Sequence, residues 1–187
     1  MPGKITPLLD PARITLHVKS TQRADALAEI AHLLETHPQV TNFAGFYAEL
    51  LARDRLDTTS LGNGVSLPHA RTEHVKAMVL AVGRSDTGIT VDQGGETARL
   101  FFVLGTPKSS PGDYLAVVSA LCRILRVDAT RAALLTAATP EEFIGVIRTA
   151  EEKLATPGKP TVPSPSNGAS AKPAERGRPS RVEEARP

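Results

Sequence analysis

Hydrophobic positions along this chain switch between two periods, and the switches mark its elements. Ile14, Leu16 and Val18 alternate with polar residues, the period-two signature of a half-buried strand. Leu27, Ile30, Ala31 and Leu34 then share one helical face, with Ser20 and Thr21 placed to cap that helix. Asn42 stands ahead of a second helix with the stripe Phe43, Phe46, Tyr47, Leu50 and Leu51, and Arg53, Asp54 and Arg55 fall at or just past its end. Val65 to Leu67 reads as a short strand running into His69. Met78 to Val82 and Leu100 to Leu104 are unbroken apolar runs of strand length, as central strands covered on both faces require, and Ile89 to Val91 adds a short edge segment.

Helical spacing returns after Leu104. Ser109 or Ser110 with Pro111 opens a helix whose expected inner face is Leu115, Val118, Cys122 and Leu125. Asp128 starts a shorter helix through Leu135. Thr139, Pro140 and Glu142 form a capping box ahead of a last helix that turns Phe143, Ile144 and Ile147 inward and ends near Leu154. Strands and helices mix without a strict βαβ repeat. The expected fold is α/β, a mixed sheet of four or five strands with helices on both faces.

The pattern stops near Ala155. Residues 156–187 read TPGKPTVPSPSNGASAKPAERGRPSRVEEARP, with Val162 and Val182 as the only large aliphatic residues. Such a segment buries too little surface to offset its ordering entropy, so a disordered Pro/Ser/Arg-rich tail is expected there. The preceding domain, residues 5–155, is long enough for a stable core, one built on aliphatic residues because tryptophan is absent.

Charge and cysteine content narrow the function classes. A formal net charge of +2 lacks the basic bias of a general nucleic-acid binder. The single cysteine, Cys122, allows no intrachain disulfide and reads as an inert thiol. No apolar run is long enough to cross a membrane, and MPGKITPLLD lacks the apolar core of a signal peptide. A cytoplasmic protein with no direct membrane insertion is expected. The histidine and cysteine spacings match no metal signature, and no cofactor is called for.

One stretch carries chemistry: SLGNGVSLPHAR, Ser60 to Arg71. Gly62 and Gly64 permit positive φ, Asn63 tolerates it, and Pro68 fixes its own φ while holding Leu67 extended. The backbone ahead of His69 is therefore stiff. A neutral imidazole keeps one lone pair near pH 7 and can attack phosphorus without first losing a proton. The dianionic product needs donors, and Ser66, Arg71 and Arg53 are the candidates nearby in sequence. His17, His32, His37 and His74 have no comparable setting, and Glu73 reads as a solvated loop charge.

The run from Arg53 to Arg71, RDRLDTTSLGNGVSLPHAR, resembles the IIA domain of the bacterial sugar phosphotransferase system, the EIIA type-2 (fructose/mannitol) class that includes nitrogen-regulatory IIA proteins. The resemblance extends from about Ile5 to Ala155 through VLAVGRSDTGI, FFVLGTP and TPEEFIGVI. It implies a three-layer α/β/α sandwich of the mannitol-type IIA kind. It also implies that an HPr-like phosphocarrier donates a phosphoryl group to His69, and that a IIB subunit or a regulated target receives the group or its signal. Arg53 matches the family arginine that lies near this histidine and helps hold phosphate, and Arg71 matches the arginine of the family's P-H-x-R tetrad. One position departs: where the family places a second histidine, SSPGDYLAVVSAL has Tyr114, a donor that cannot carry positive charge. Two functions are expected to compete on this basis: a IIA component that accepts and passes on phosphate, and a nitrogen-type regulatory module acting through protein contacts with weak or no transfer.

Overall fold

The computed structural model describes residues 3–56, 59–91, 95–109 and 111–155; the expected tail, 156–187, lies outside them. Eleven regular elements follow one another, besides single 3₁₀ turns: β1 (Ile14–Thr15), α1 (Arg23–Ala31), α2 (Phe43–Leu56), β2 (Ser60–Gly62), β3 (Val65–Ser66), β4 (His69–Thr72), β5 (Val79–Thr90), β6 (Thr97–Pro107), α3 (Pro111–Leu125), α4 (Asp128–Thr136) and α5 (Pro140–Ala155). The two apolar runs become the long central pair β5 and β6, antiparallel to each other. Strand order is β1-β5-β6-β3-β2, with β4 also on β6. β1 joins β5 in parallel, β3 and β4 join β6 in parallel, and β2 is antiparallel to β3, so the sheet is mixed.

Side-chain alternation on β5 and β6 divides the interior into two cores. Leu80, Val82, Phe102 and Leu104 face Val117, Leu121 and Ile124 of α3, Leu134 of α4 and Phe143 and Ile147 of α5. Val79, Ala81, Phe101 and Val103 face Leu27 and Ile30 of α1 and Phe46 and Leu50 of α2. This is the expected sandwich. Its strand count reaches six because the short segment expected at Val65–Leu67 belongs to a larger unit. Asn63 and Gly64 both have positive φ (54° and 75°), as a two-residue Asn-Gly hairpin turn requires, and they fold β2 back on β3. The Gly64 carbonyl then accepts from Arg99 and Leu100 N–H at 2.8 and 3.1 Å, which ties the hairpin to β6.

Several local expectations shift. The segment Ile14–Val18 contributes only a two-residue strand. The Ile89 segment is the end of β5 itself. Ser20 does not cap α1; its hydroxyl and its N–H both donate to Glu29 instead, at 3.0 and 3.1 Å. Asn42 does cap α2, accepting from Gly45 N–H at 3.1 Å. In α3 the inner face is Val117, Ala120, Leu121, Ile124 and Leu125, while Leu115 is 65 % exposed. The helix is rotated so that Tyr114, next to Leu115, packs toward the sheet.

One buried and one half-buried cation lock the layers. Arg84 on β5 is 5 % exposed. Its Nε donates to Leu16 O at 3.1 Å, and its Nη1 donates to Leu134 O and Ala137 O at 3.1 and 2.7 Å. The last two carbonyls are orphans at the end of α4, where the helix dipole also favours a cation. Arg23, in the first turn of α1, grips Asp54 of α2 through two bonds of 2.9 and 2.5 Å and reaches Ser66 Oγ of β3 at 3.4 Å. This pair sets the last turn of α2 against α1 and β3.

Arg84→Met is expected to cost about 3 kcal/mol by stranding three buried carbonyls, lowering the melting midpoint by roughly 6–12 °C; calorimetry that found under 1 °C would contradict that role. For the pair, Arg23→Met alone should destabilise by about 2 kcal/mol, since it leaves Asp54 buried and uncompensated, and Arg23→Met with Asp54→Leu should recover part of that loss. Chemical denaturation of the two singles and the double measures the coupling.

Candidate phosphoryl-transfer site

The site begins with a broken strand. Val65 and Ser66 pair with Leu100 and Phe101, and His69 to Thr72 pair with Leu104 to Pro107, so β3 and β4 lie on one line along β6. Pro68 has no N–H to donate to a ladder, and the line is interrupted there. Leu67 N–H turns the other way, to Thr59 O at 2.8 Å, while Pro68 O still accepts from Leu104 N–H at 2.9 Å. On the same side as the Leu67 N–H, away from β6, Leu67 O is the partner of His69 Nδ1, 3.1 Å away. A carbonyl only accepts, so Nδ1 carries the ring proton in the neutral imidazole and Nε2 keeps the lone pair.

Nε2 points at α3. Tyr114 Oη is 3.0 Å away, and with the tautomer set as above the phenol donates to Nε2. The rings pack 5.2 Å apart at a tilt of 35°. Burial pushes the Tyr114 phenol above its ordinary range, and the charges of Arg53 and Arg71 pull in the opposite direction. The phenol therefore remains a protonated donor through the neutral range. The charges of both arginines act on the same hydroxyl that touches His69 Nε2. Arg71 is fixed by a bond from Nη2 to Lys108 O, 3.2 Å. Arg53 comes from the last turn of α2, which the Arg23–Asp54 pair holds.

The structure thus brings together the four residues singled out from sequence: His69, Arg53, Arg71 and Tyr114. It does not bring in Ser66. The Ser66 partner on β6 is Phe101, which faces the α1/α2 core, whereas the His69 partner is Leu104, which faces the α3 core. Ser66 Oγ is occupied with Thr59 O and Arg23 instead, at 3.4 Å each. Glu73 lies 3.6 Å from Lys108 Nζ at the surface. The other histidines have structural partners: His17 with Asp86, His32 with Ala28 O, His37 with Gln39 N–H, and His74 with Asn42. Among the described residues, no group of three or more His, Cys, Asp or Glu side chains is gathered to hold a metal ion.

Sequence reasoning missed Arg23 and Asp54, whose pairing spans two helices and leaves no local signature, and Thr106. The last is the β6 partner of Arg71 and is fully buried. The Asn-Gly dipeptide was a hairpin signal that the same reading had the means to use.

Comparison with known proteins agrees with this fold. The family model described as "Phosphoenolpyruvate-dependent sugar phosphotransferase system, EIIA 2" matches residues 7–150. The chain is 27% identical over 145 residues to the PTS system fructose-specific EIIABC component of Bacillus subtilis, a match covering 77% of this chain and 23% of that protein. It is 25% identical to the nitrogen regulatory protein of Pseudomonas aeruginosa over 77% of this chain and 94% of that one. Among solved structures, the nitrogen regulatory protein IIA-Ntr of Neisseria meningitidis superposes with a TM-score of 0.70 at 26% identity, covering 76% of this chain and 97% of that one. No helix of the described residues is long and apolar enough to cross a membrane. With the histidine, its tyrosine and its arginines assembled on this sandwich, and the match running through nearly the whole described fold, the chain belongs to the EIIA type-2 family of the phosphoenolpyruvate-dependent sugar phosphotransferase system.

Proposed function

We propose that this protein is a cytoplasmic phosphohistidine carrier that accepts a phosphoryl group on His69 Nε2 from an HPr-like phosphocarrier and passes it to a IIB partner. The observation that carries the proposal is the orientation of His69: Nδ1 held by Leu67 O, and Nε2 aimed at the hydroxyl on which both arginine charges act. The Nε2 lone pair attacks phosphorus of the donor phosphohistidine. The donor N–P bond breaks, its electron pair returns to the donor nitrogen, and the Nδ1 proton stays in place against Leu67 O. Passing the group onward repeats the step with His69 as the leaving nitrogen.

Phosphorylation consumes the lone pair that Tyr114 now caps. The phenol must then leave Nε2, and the nearest acceptors for its proton become the phosphoryl oxygens. Tyr114 serves as cap in one state and phosphate donor in the other, with Arg53 and Arg71 neutralising the added charge. Exposed Leu56 on α2 and Leu115 on α3, the helices that carry Arg53 and Tyr114, offer a protein partner apolar surface.

A regulatory reading is favoured by a different observation. The nitrogen regulatory relative matches over 94% of its own length, and Tyr114 replaces the family's charged second histidine. A phosphorylation-dependent binding module needs only slow transfer. Pulldown of partners with unmodified and phosphorylated protein separates a switch from a constitutive contact: equal capture in both states counts against a switch.

Incubation with phosphoenolpyruvate, enzyme I and HPr is expected to give acid-labile, base-stable phosphate, and His69→Ala should abolish it; a His69→Ala protein that labels like wild type overturns the assignment. Restoring a chargeable donor with Tyr114→His should speed transfer by roughly tenfold, the difference between a neutral and a charge-assisted bond. Quench-flow labelling measures it, and identical rates would mean the phenol already suffices.

A further inference from the structure

We propose that Thr106 is a further phosphate-binding residue of this site, its hydroxyl forming the floor on which a phosphoryl oxygen of phospho-His69 rests. The inference deepens the function proposed above and depends on it. Among the described residues, Thr106 Oγ1 is a buried side-chain oxygen with no hydrogen-bond partner, and the whole residue is 0% exposed. Such an atom is a standing cost, because it has given up water for nothing. β6 is paired on both sides at this level, with β4 at Arg71 and with β5 near Val79, so the strand ladders leave the hydroxyl no backbone carbonyl. Valine has the same shape, prefers strands, and carries no orphan oxygen. A threonine here makes sense if its partner arrives later.

Placement says what that partner is. Phe102 and Leu104 face the α3 core, and alternation puts Thr106 on that same face. His69 and Arg71, two apart on β4, share it too: their β6 partners are Leu104 and Thr106. With strands about 4.8 Å apart and a rise of about 3.3 Å per residue, diagonal neighbours of this kind lie roughly 8 Å apart, a span that an imidazole and its phosphate bridge. The partner of Nε2, Tyr114, belongs to the first turn of α3, the helix that starts just after the end of β6 that carries Thr106. A phosphoryl group on Nε2 displaces the phenol and lies between Arg71, Tyr114 and the Thr106 hydroxyl.

The test loads His69 without any protein donor. Phosphoramidate phosphorylates a histidine directly: Nε2 attacks phosphorus of the N-protonated reagent, the P–NH₃⁺ bond breaks with its electron pair going to nitrogen, and ammonia leaves. The ³¹P resonance and the hydrolysis half-life of phospho-His69 are then measured in wild type, Thr106→Val and Thr106→Ser, alongside their melting midpoints and their transfer rates from HPr. A floor hydroxyl predicts that Thr106→Val melts at or above wild type, shifts the ³¹P resonance and lowers transfer about tenfold, while Thr106→Ser stays within about twofold of wild type. A packing role predicts the reverse order, with serine the damaged variant and valine equal to wild type, and that order overturns the proposal; three equal proteins overturn it as well. Wild type that loads chemically but never from a phosphocarrier refutes the carrier function alone, and the valine–serine order still decides Thr106. A His69 that phosphoramidate cannot load overturns both.

Discussion

One hydrogen bond organises this site: the His69 Nδ1 proton on the carbonyl of Leu67. It sets the tautomer of the imidazole and, with the Tyr114 contact, the orientation of the ring. Leu67 turns its N–H away from β6, to Thr59 O, and its carbonyl meets the His69 imidazole. Arg71 Nη2, two residues on, is held by the Lys108 carbonyl in the segment that follows β6. His69 and Arg71 are therefore both mounted along one strand of the sheet, each held by a backbone carbonyl.

The opposite wall comes from helices, and its placement rests on longer-range contacts. Tyr114 reaches His69 because α3 turns Val117, Leu121 and Ile124 into the core, which brings residue 114 to the sheet and leaves Leu115 outside. Arg53 depends on the end of α2, and that end is fixed by an ion pair from the start of α1. Side-chain relative exposures of 15% and 11% put this pair well into the protein, where a bidentate geometry is needed to offset desolvation. Stability and chemistry thus share residues: loosening the α1–α2 clasp moves a charge at the nucleophile.

Much of this was legible in the chain. The two apolar runs announced β5 and β6, the helical stripes announced the covering layers, and the glycines with Pro68 marked His69 as mounted on a constrained approach. What the sequence hid is of one physical kind. Ser66 and His69 look equivalent in a string, yet they face opposite sides of the sheet, because the parity of the strand runs through Pro68 without resetting. The inner face of α3 was misjudged because the apolar spacing of Leu115, Val118 and Cys122 fits a helix as well as the true set does. Arg23 with Asp54, and Thr106 with Arg71, meet only through tertiary register, which no local pattern encodes.

The central claim is that Nε2 of His69 is the phosphorylated atom, since every other assignment follows from that nitrogen carrying the lone pair. The most direct measurement is the ¹⁵N–³¹P coupling pattern of the phosphorylated, ¹⁵N-histidine-labelled protein. The account predicts phosphorus bonded to Nε2 of His69, with Nδ1 still protonated. Phosphorus on Nδ1, or on any other side chain, would contradict it.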